Sequence, residues 1–225
     1  MGTYPNRIKP SESLVKDIGI FFYGDLPRRK SVYIATSSQS SPETIKGLYS
    51  SVVEASQMGW DILYIPGGDC GKAVEEGCFD GEGRLHAVLP FGLLNYSRRS
   101  IRNALVYSGS VISPYDGLRN FTLEGLDKAR IIASSLADII FIGQENILSS
   151  KVGWYIEDSL DEGKDIALLK SCMGTRYIND LVKEGCPAVS SFSDIFSSPT
   201  CFLYPSSKGR YGHNGFTFDI IEYGY

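Results

Sequence analysis

Residues 31–72, "SVYIATSSQSSPETIKGLYSSVVEASQMGWDILYIPGGDCGK", hold the pattern that decides the fold. "SVYIA" is a short continuous apolar run of strand length, and "DILYI" is another. The stretch between them, "SPETIKGLYSSVVEASQMG", is amphipathic, opens on Ser-Pro-Glu and closes on glycine, which are the start and stop signals of a helix. Two apolar strands joined by a helix of this length form a βαβ unit, since parallel strands need a crossover long enough to return the chain to the same edge.

The same period continues downstream. "LHAVL" (85–89), "SVIS" (110–113), "DIIFIG" (138–143) and "DIALL" (165–169) read as further strands. "SRRSIRNALVYSG" (97–109), "LEGLDKARIIASSL" (123–136) and "RYINDLVKEG" (176–185) read as helices. Strands that alternate with helices and are apolar throughout belong to a parallel sheet covered on both faces. The expected fold is therefore α/β, a Rossmann-like, doubly wound, mostly parallel sheet with a small β appendage at the C-terminus. Residues 1–30 form a lead-in with one β-like run, "IGIFFYG"; residues 31–197 form the Rossmann-like domain; residues 198–225 form a β-rich tail.

The totals narrow the function. The chain has 225 residues, 43% of them hydrophobic, enough for one sizeable core. Its net charge of -4 gives no global attraction to nucleic acid, so any such site must be a local basic patch. Five cysteines with no CxxC pair, and only His86 and His213, argue against a disulfide framework and a metal site. No apolar run is long enough to span a membrane, and the start lacks a secretory apolar region. The reading is a cytoplasmic protein with neither metal nor cofactor.

In a doubly wound sheet, ligands bind beyond the carboxyl ends of the strands. That rule selects the Gly- and Ser-rich loops "TSSQSS", "PGGDCGK", "PFGLLNYSRRS", "PYDGLRNF" and "GQENILSS". Backbone N–H groups at helix starts, with hydroxyls beside them, suit phosphate. The candidate ligands are Thr36, Ser37, Ser38, Gly67, Gly68, Gly71, Lys72, Arg98, Arg99, Lys128, Arg130, Ser149 and Ser150. Each has a plainer reading: Thr36–Ser38 as helix caps, the glycines as a tight turn, the arginines (with Arg102) as a solvated helix face. "PGGDCGK" is neither a Walker motif nor GxGxxG. Glu75, Glu145 and Glu157 are isolated carboxylates, and no catalytic residue is assigned.

Arg130 poses the sharper question. With Leu126 at zero and 100° per residue, Ala129, Arg130 and Ala133 fall on one face. A cation at the edge of an apolar stripe needs an anionic partner, from the fold or from outside.

The order of segments resembles the DprA/Smf DNA-processing family, within the wider SLOG superfamily, over roughly residues 18–196. "IFFYGDLPRRKSVYIATSS" (20–38) is similar to that family's Tyr-x-Gly-Asp-Leu lead into a strand ending Gly-Ser-Arg. "AVLPFGLLNYSRRSI" (87–101) is similar to its Ala-Val-Leu-Gly-x-Gly-Leu-Asp-x-x-Tyr-Pro run, with Gly92, Leu93 and Tyr96 in place. "DKARIIASSLADIIFI" (127–142) resembles Arg-Asn-Arg-Ile-Ile-Ala-Gly-Leu-Ser and the strand after it, so that Lys128 and Arg130 fall on the two arginines. "GTRYINDLVKEGCPAVSSFSDIF" (174–196) closes the match. Ser37 stands where the Gly-Ser-Arg arginine belongs, Glu75 where a histidine does, and Leu94 where an aspartate does.

The resemblance implies non-covalent binding of single-stranded DNA through its backbone, in DNA uptake and recombination (natural transformation), with a RecA-type recombinase as partner and a possible homo-oligomer. Tyr96 or Phe121 would stack bases, unless they belong to the core. The alternative is a nucleotide-type small-ligand protein, or a relative of the "lonely guy" nucleotide phosphoribohydrolases. In "PGGDCGKAVE", however, Gly71 and Glu75 each fall one place later than in that motif.

Overall fold

The structure is a computed structural model that describes residues 6–9, 18–28, 30–95, 109–144, 156, 159–160, 162–174, 176–183, 185–197 and 219–220. The described strands are β1 (Asn6–Lys9), β2 (Ile20–Gly24), β3 (Ser31–Thr36), β4 (Asp61–Tyr64), β5 (Arg84–Val88), β6 (Ser110–Ser113), β7 (Ile139–Gly143), β8 (Asp165–Leu169), β9 (Ala188–Val189) and β10 (Asp219–Ile220). The main helices are α1 (Pro42–Gln57), α2 (Gly68–Asp80), α3 (Leu123–Leu136) and α4 (Arg176–Lys183). Residues 97–108 of the expected helix at 97–109 lie outside the described residues, and Gly109 is not helical.

All ten strands join one sheet in the order β10-β1-β2-β6-β5-β4-β3-β7-β8-β9. From β6 to β9 every pairing is parallel. The expected Rossmann-like sheet is thus the observed one, with β3 at its centre between β4 and β7. The order runs outward from β3 through β4, β5 and β6, then returns to the other side of β3 at β7. Right-handed crossovers then put the connections of the two halves on opposite faces.

The core follows that division. Leu48 and Val52 of α1 and Val74 and Cys78 of α2 pack with Val32, Ile34, Ile62, Tyr64 and Phe141 on one face. Ala129, Ile132 and Ala133 of α3 and Ile178 and Leu181 of α4 pack with Tyr33, Leu63, Ile140 and Ile142 on the other. Adjacent residues of β3 point to opposite layers, so each strand must be apolar at every position. Here the burial pattern agrees with the sequence, since β4 and β7 are buried along their whole length.

The segments outside 31–197 differ from expectation in detail. The lead-in has two strands, β1 and β2, and β2 joins β6 antiparallel with Phe22 opposite Ile112. From the tail, β10 pairs with β1 in the same sheet. Both segments therefore extend the central sheet at its β6 edge.

Candidate nucleic-acid interface

The described parts of the loops after β3, β4, β5, β6 and β8 lie at the carboxyl edge of the parallel sheet. In the loop after β3, the Ser37 hydroxyl donates to the Gln39 carbonyl at 2.6 Å and lies 2.9 Å from Ser40 Oγ. The cap of α1 is Ser41, whose side chain accepts from Thr44 N, with Pro42 next in the first turn. Thr36, Ser37 and Ser38 are therefore not the caps of this helix, and Ser38 is exposed.

The loop after β4 meets the loop after β3. Gly68 has φ +60°, in the left-handed region that glycine adopts without strain, and a Cβ there would lie 1.9 Å from Ser38 O. Gly67 begins α2 with no side-chain cap, and both glycines are exposed. Only glycine lets the two backbones touch here. Gly71 is different: it is buried and its N–H is committed to Gly67 O at 3.1 Å, so it has no amide to offer a phosphate. Lys72 pairs with Asp69 at 2.8 Å in the open, and that lysine holds the Asp69 carboxyl below its usual range.

The first two turns or so of α3 (Leu123–Leu136) carry the other two expected cations that are described, Lys128 and Arg130. Thr122 caps it, accepting from Gly125 N at 2.9 Å. Lys128 pairs with Glu124 at 2.6 Å, which raises the lysine pKa and lowers that of the glutamate. Arg130, only 15% exposed, pairs with Asp127 at 3.3 Å. Its anionic partner comes from within the helix, three residues back. Every predicted cation among the described residues thus shares a carboxylate within one helical turn.

Two further side chains join this edge. Arg119 lies 4.1 Å from the centroid of the Tyr115 ring, with Lys128 Nζ at 5.5 Å from the same centroid. Tyr115 is buried and its hydroxyl has no hydrogen-bond partner. Sequence reasoning selected their loop, "PYDGLRNF", but neither residue; the aromatic-to-arginine spacing of four was the available signal. Phe121 is exposed, so it is not core. Glu75 accepts from the buried Tyr64 hydroxyl at 2.7 Å, a structural contact. Arg98, Arg99, Arg102, Ser149, Ser150, Tyr96, Glu145 and Glu157 lie outside the described side chains.

The amino edge is built differently. Asp61 is buried at the start of β4 and accepts from the Arg28 amide and from Arg84 Nη1, each at 3.2 Å. Burial pushes its carboxyl up, but His86, Arg84 and the amide outweigh that and hold it below the usual range. His86 is fully buried, with Nδ1 at 2.8 Å from Ser110 Oγ and Nε2 at 3.6 Å from Asp61 Oδ2. Burial lowers its pKa against the pull of Asp61. Although Asp, His and Ser stand in a row, the group is sealed from solvent, so no substrate reaches it. Among the described residues, no group of His, Cys, Asp and Glu side chains is placed to hold a metal.

The fold and the loop-built edge define a Rossmann-like α/β protein whose topological switch point lies at β3. The fold is shared with DNA processing protein A (DprA) from Streptococcus pneumoniae, with a TM-score of 0.64 at 16% identity over 80% of this chain. That alignment spans 66% of the pneumococcal chain. It is shared as well with DprA from Helicobacter pylori, a structure described for its single-stranded DNA binding mode. There the TM-score is 0.63 at 14% identity, over 84% of this chain and 94% of that one. A molybdenum cofactor binding protein from Rippkaea orientalis is more distant, with a TM-score of 0.52 at 13% identity over 76% of this chain and 94% of that one. No protein-family model matches the sequence, and no curated protein does. No described helix is long and apolar enough to cross a membrane.

Proposed function

We propose that this protein binds single-stranded DNA non-covalently along the carboxyl edge of its sheet, as part of DNA uptake or recombination. The observation that carries this reading is the convergence of the starts of α1, α2 and α3 on one edge, together with Lys72, Lys128 and Arg130. Helix starts present unpaired N–H groups and a positive dipole end, which favour phosphate. Likeness of fold to the H. pylori protein supports the same ligand. A RecA-type recombinase as downstream partner rests on the sequence resemblance.

The ion pairs shape the expected binding. A phosphate must share each cation with Glu124, Asp127 or Asp69, so affinity is modest and falls with salt. Anisotropy of a fluorescent thirty-nucleotide single strand at two salt concentrations tests this. Salt-sensitive binding is expected, and Lys128→Ala with Arg130→Ala should reduce the salt slope by about 1.4, two contacts at about 0.7 each. An unchanged slope removes these residues from the interface.

A second reading, a nucleotide-type small ligand, is favoured by the close approach of Gly68 to the Ser38 backbone, which brings the loops after β3 and β4 together at the start of α2. Absence of strand binding at low salt, together with a thermal shift from a nucleotide, would select it.

A further inference from the structure

Among the described residues of the carboxyl edge, four of the five exposed large apolar side chains come from two adjoining loops, Met173 after β8 being the fifth. Leu94, Leu118, Phe121 and Leu123 are 61%, 75%, 56% and 75% exposed. The first comes from the loop after β5, and the other three from the loop after β6 and the first residue of α3. The two loops are locked together. Gly92 N donates to Arg119 O at 2.8 Å, Leu94 N to Gly117 O at 3.4 Å, and Asn95 Nδ2 to Asn120 Oδ1 at 3.2 Å. A Cβ on Gly92 would lie 1.8 Å from Gly117 O, and one on Gly125 would lie 2.2 Å from Pro90 O. The four side chains therefore stand on a fixed backbone, and clustered apolar exposure of this kind marks an interaction surface.

The charge beside the patch is equally defined. Among the described residues these loops carry two charged side chains, Asp116 and Arg119, and the guanidinium is the one held in place, on the Tyr115 ring. Lys128 is taken up by Glu124, whereas Arg119 makes no ion pair among the described residues. A guanidinium ordered in advance on an aromatic face loses little freedom when it meets a carboxylate, and its planar fork matches one.

We infer that this patch docks a segment of another protein in which leucine or phenylalanine is interleaved with aspartate or glutamate. The apolar side chains would sit on Leu94, Leu118, Phe121 and Leu123, and a carboxylate would meet Arg119. Three of the four members are leucines, which have no π face for a nucleobase, so Phe121 is the single stacking surface of the four. Peptide side chains, in contrast, bury well against aliphatic anchors with a cation at the rim. The inference uses Arg119 and the apolar side chains, whereas the DNA reading rests on the cations Lys72, Lys128 and Arg130; Phe121, an expected base stacker, is common to both.

The test is selection of displayed random dodecapeptides on the full chain, counter-selected on Leu118→Ser/Leu123→Ser. The best peptide is then labelled with fluorescein and titrated. Leucine- or phenylalanine-bearing acidic peptides should be enriched, with the double variant weakening the labelled peptide roughly tenfold or more. Arg119→Glu should reverse the preference toward a peptide with lysine in place of its acidic residues. Both leucines are exposed, so the double variant should melt like the parent. Four results overturn the inference. They are no enrichment, enrichment of basic or uncharged peptides, an equal loss of thirty-nucleotide strand affinity in the double variant, and a concentration-dependent dimer of the parent that the double variant abolishes. The last two assign the patch to nucleic acid or to a second copy of the chain. The DNA reading is tested separately through Lys128 and Arg130, so failure of one leaves the other standing.

Discussion

The two edges of the central sheet use charge in opposite ways. At the amino edge, charged side chains hold backbone, Asp61 from within the core, Lys164 half-buried and Asp138 from an exposed position. Asp61 accepts the Arg28 amide, Asp138 Oδ2 accepts Ser31 N at 2.8 Å, and Lys164 donates to the Ser134, Ser135 and Ala137 carbonyls at the end of α3. Toward the carboxyl edge, the pairs Lys72–Asp69, Lys128–Glu124 and Arg130–Asp127 are each formed within one helix; the first is open, the second partly so, and the third half-buried. Exposed pairs contribute little to folding and exchange partners easily, whereas a buried charge that loses its partner is costly. The amino edge is therefore where charge maintains the fold, and the carboxyl edge is where charge is available to a ligand.

The strongest way to break this contrast is Asp61→Ala. It leaves Arg84, the Arg28 amide and His86 facing an empty site, and should cost about 3–5 kcal/mol in urea unfolding. Asp69→Ala, at the carboxyl edge, should leave the unfolding midpoint nearly unmoved. Next comes Lys164→Met. Burial brings this amine down to about 8, yet its ammonium hydrogens satisfy three carbonyls that α3 cannot. Their loss should cost about 2–3 kcal/mol by the same measurement.

The pH dependence sharpens the comparison further. Because burial lowers the pKa of His86, the unfolded chain binds its proton first as pH falls below about 6.5, and stability then drops. The contribution is fully present above the unfolded value and is lost as pH falls through the folded one. Asp61, also lowered, adds a second loss at more acid pH, beginning below its ordinary value of 3.8. Urea midpoints measured between pH 8 and pH 5 should fall by at most about 1.4 kcal/mol per unit from this histidine. His86→Gln should flatten that slope, and an unchanged slope would mean that His86 does not carry it.

The smallest expected effect lies at the carboxyl edge and has the opposite sign for function. Glu124→Gln with Asp127→Asn frees Lys128 and Arg130, and should strengthen single-strand binding by roughly threefold to tenfold at low salt. Weaker binding in that variant would show that the pairs orient the cations rather than occupy them.

Much of this was legible along the chain. The run from Ser31 to Tyr64 predicts strand, helix and strand where β3, α1 and β4 are found, because apolar runs and helix signals are local properties. The Asp127–Arg130 spacing of three was legible as well, since residues three or four apart are neighbours on any helix. The helix-face reading therefore located Arg130, and its partner lay in the same quoted segment.

Other features were not legible, because they depend on register. His86 meets Ser110 only because β5 and β6 pair with those two residues as partners, and Asp61 approaches His86 from β4. Arg119 covers Tyr115, and Leu94 joins Leu118, only because the loops after β5 and β6 close on each other at Gly92. Gly71 looks like Gly67 and Gly68 in sequence, yet helix formation consumes its amide.

By itself, then, the sequence determined the alternation of apolar strands and amphipathic helices, and hence a parallel sheet with two covered faces. It also determined the charge pairs within each helix, because hydropathy period and helix geometry act over a few residues. The tertiary structure decided that β3 lies at the centre, that β1, β2 and β10 extend the β6 edge, and which side chains from separate loops meet. Those outcomes depend on long-range strand pairing and crossover hand, in which residues far apart in the chain must be brought to within a few ångströms before their interaction energy exists.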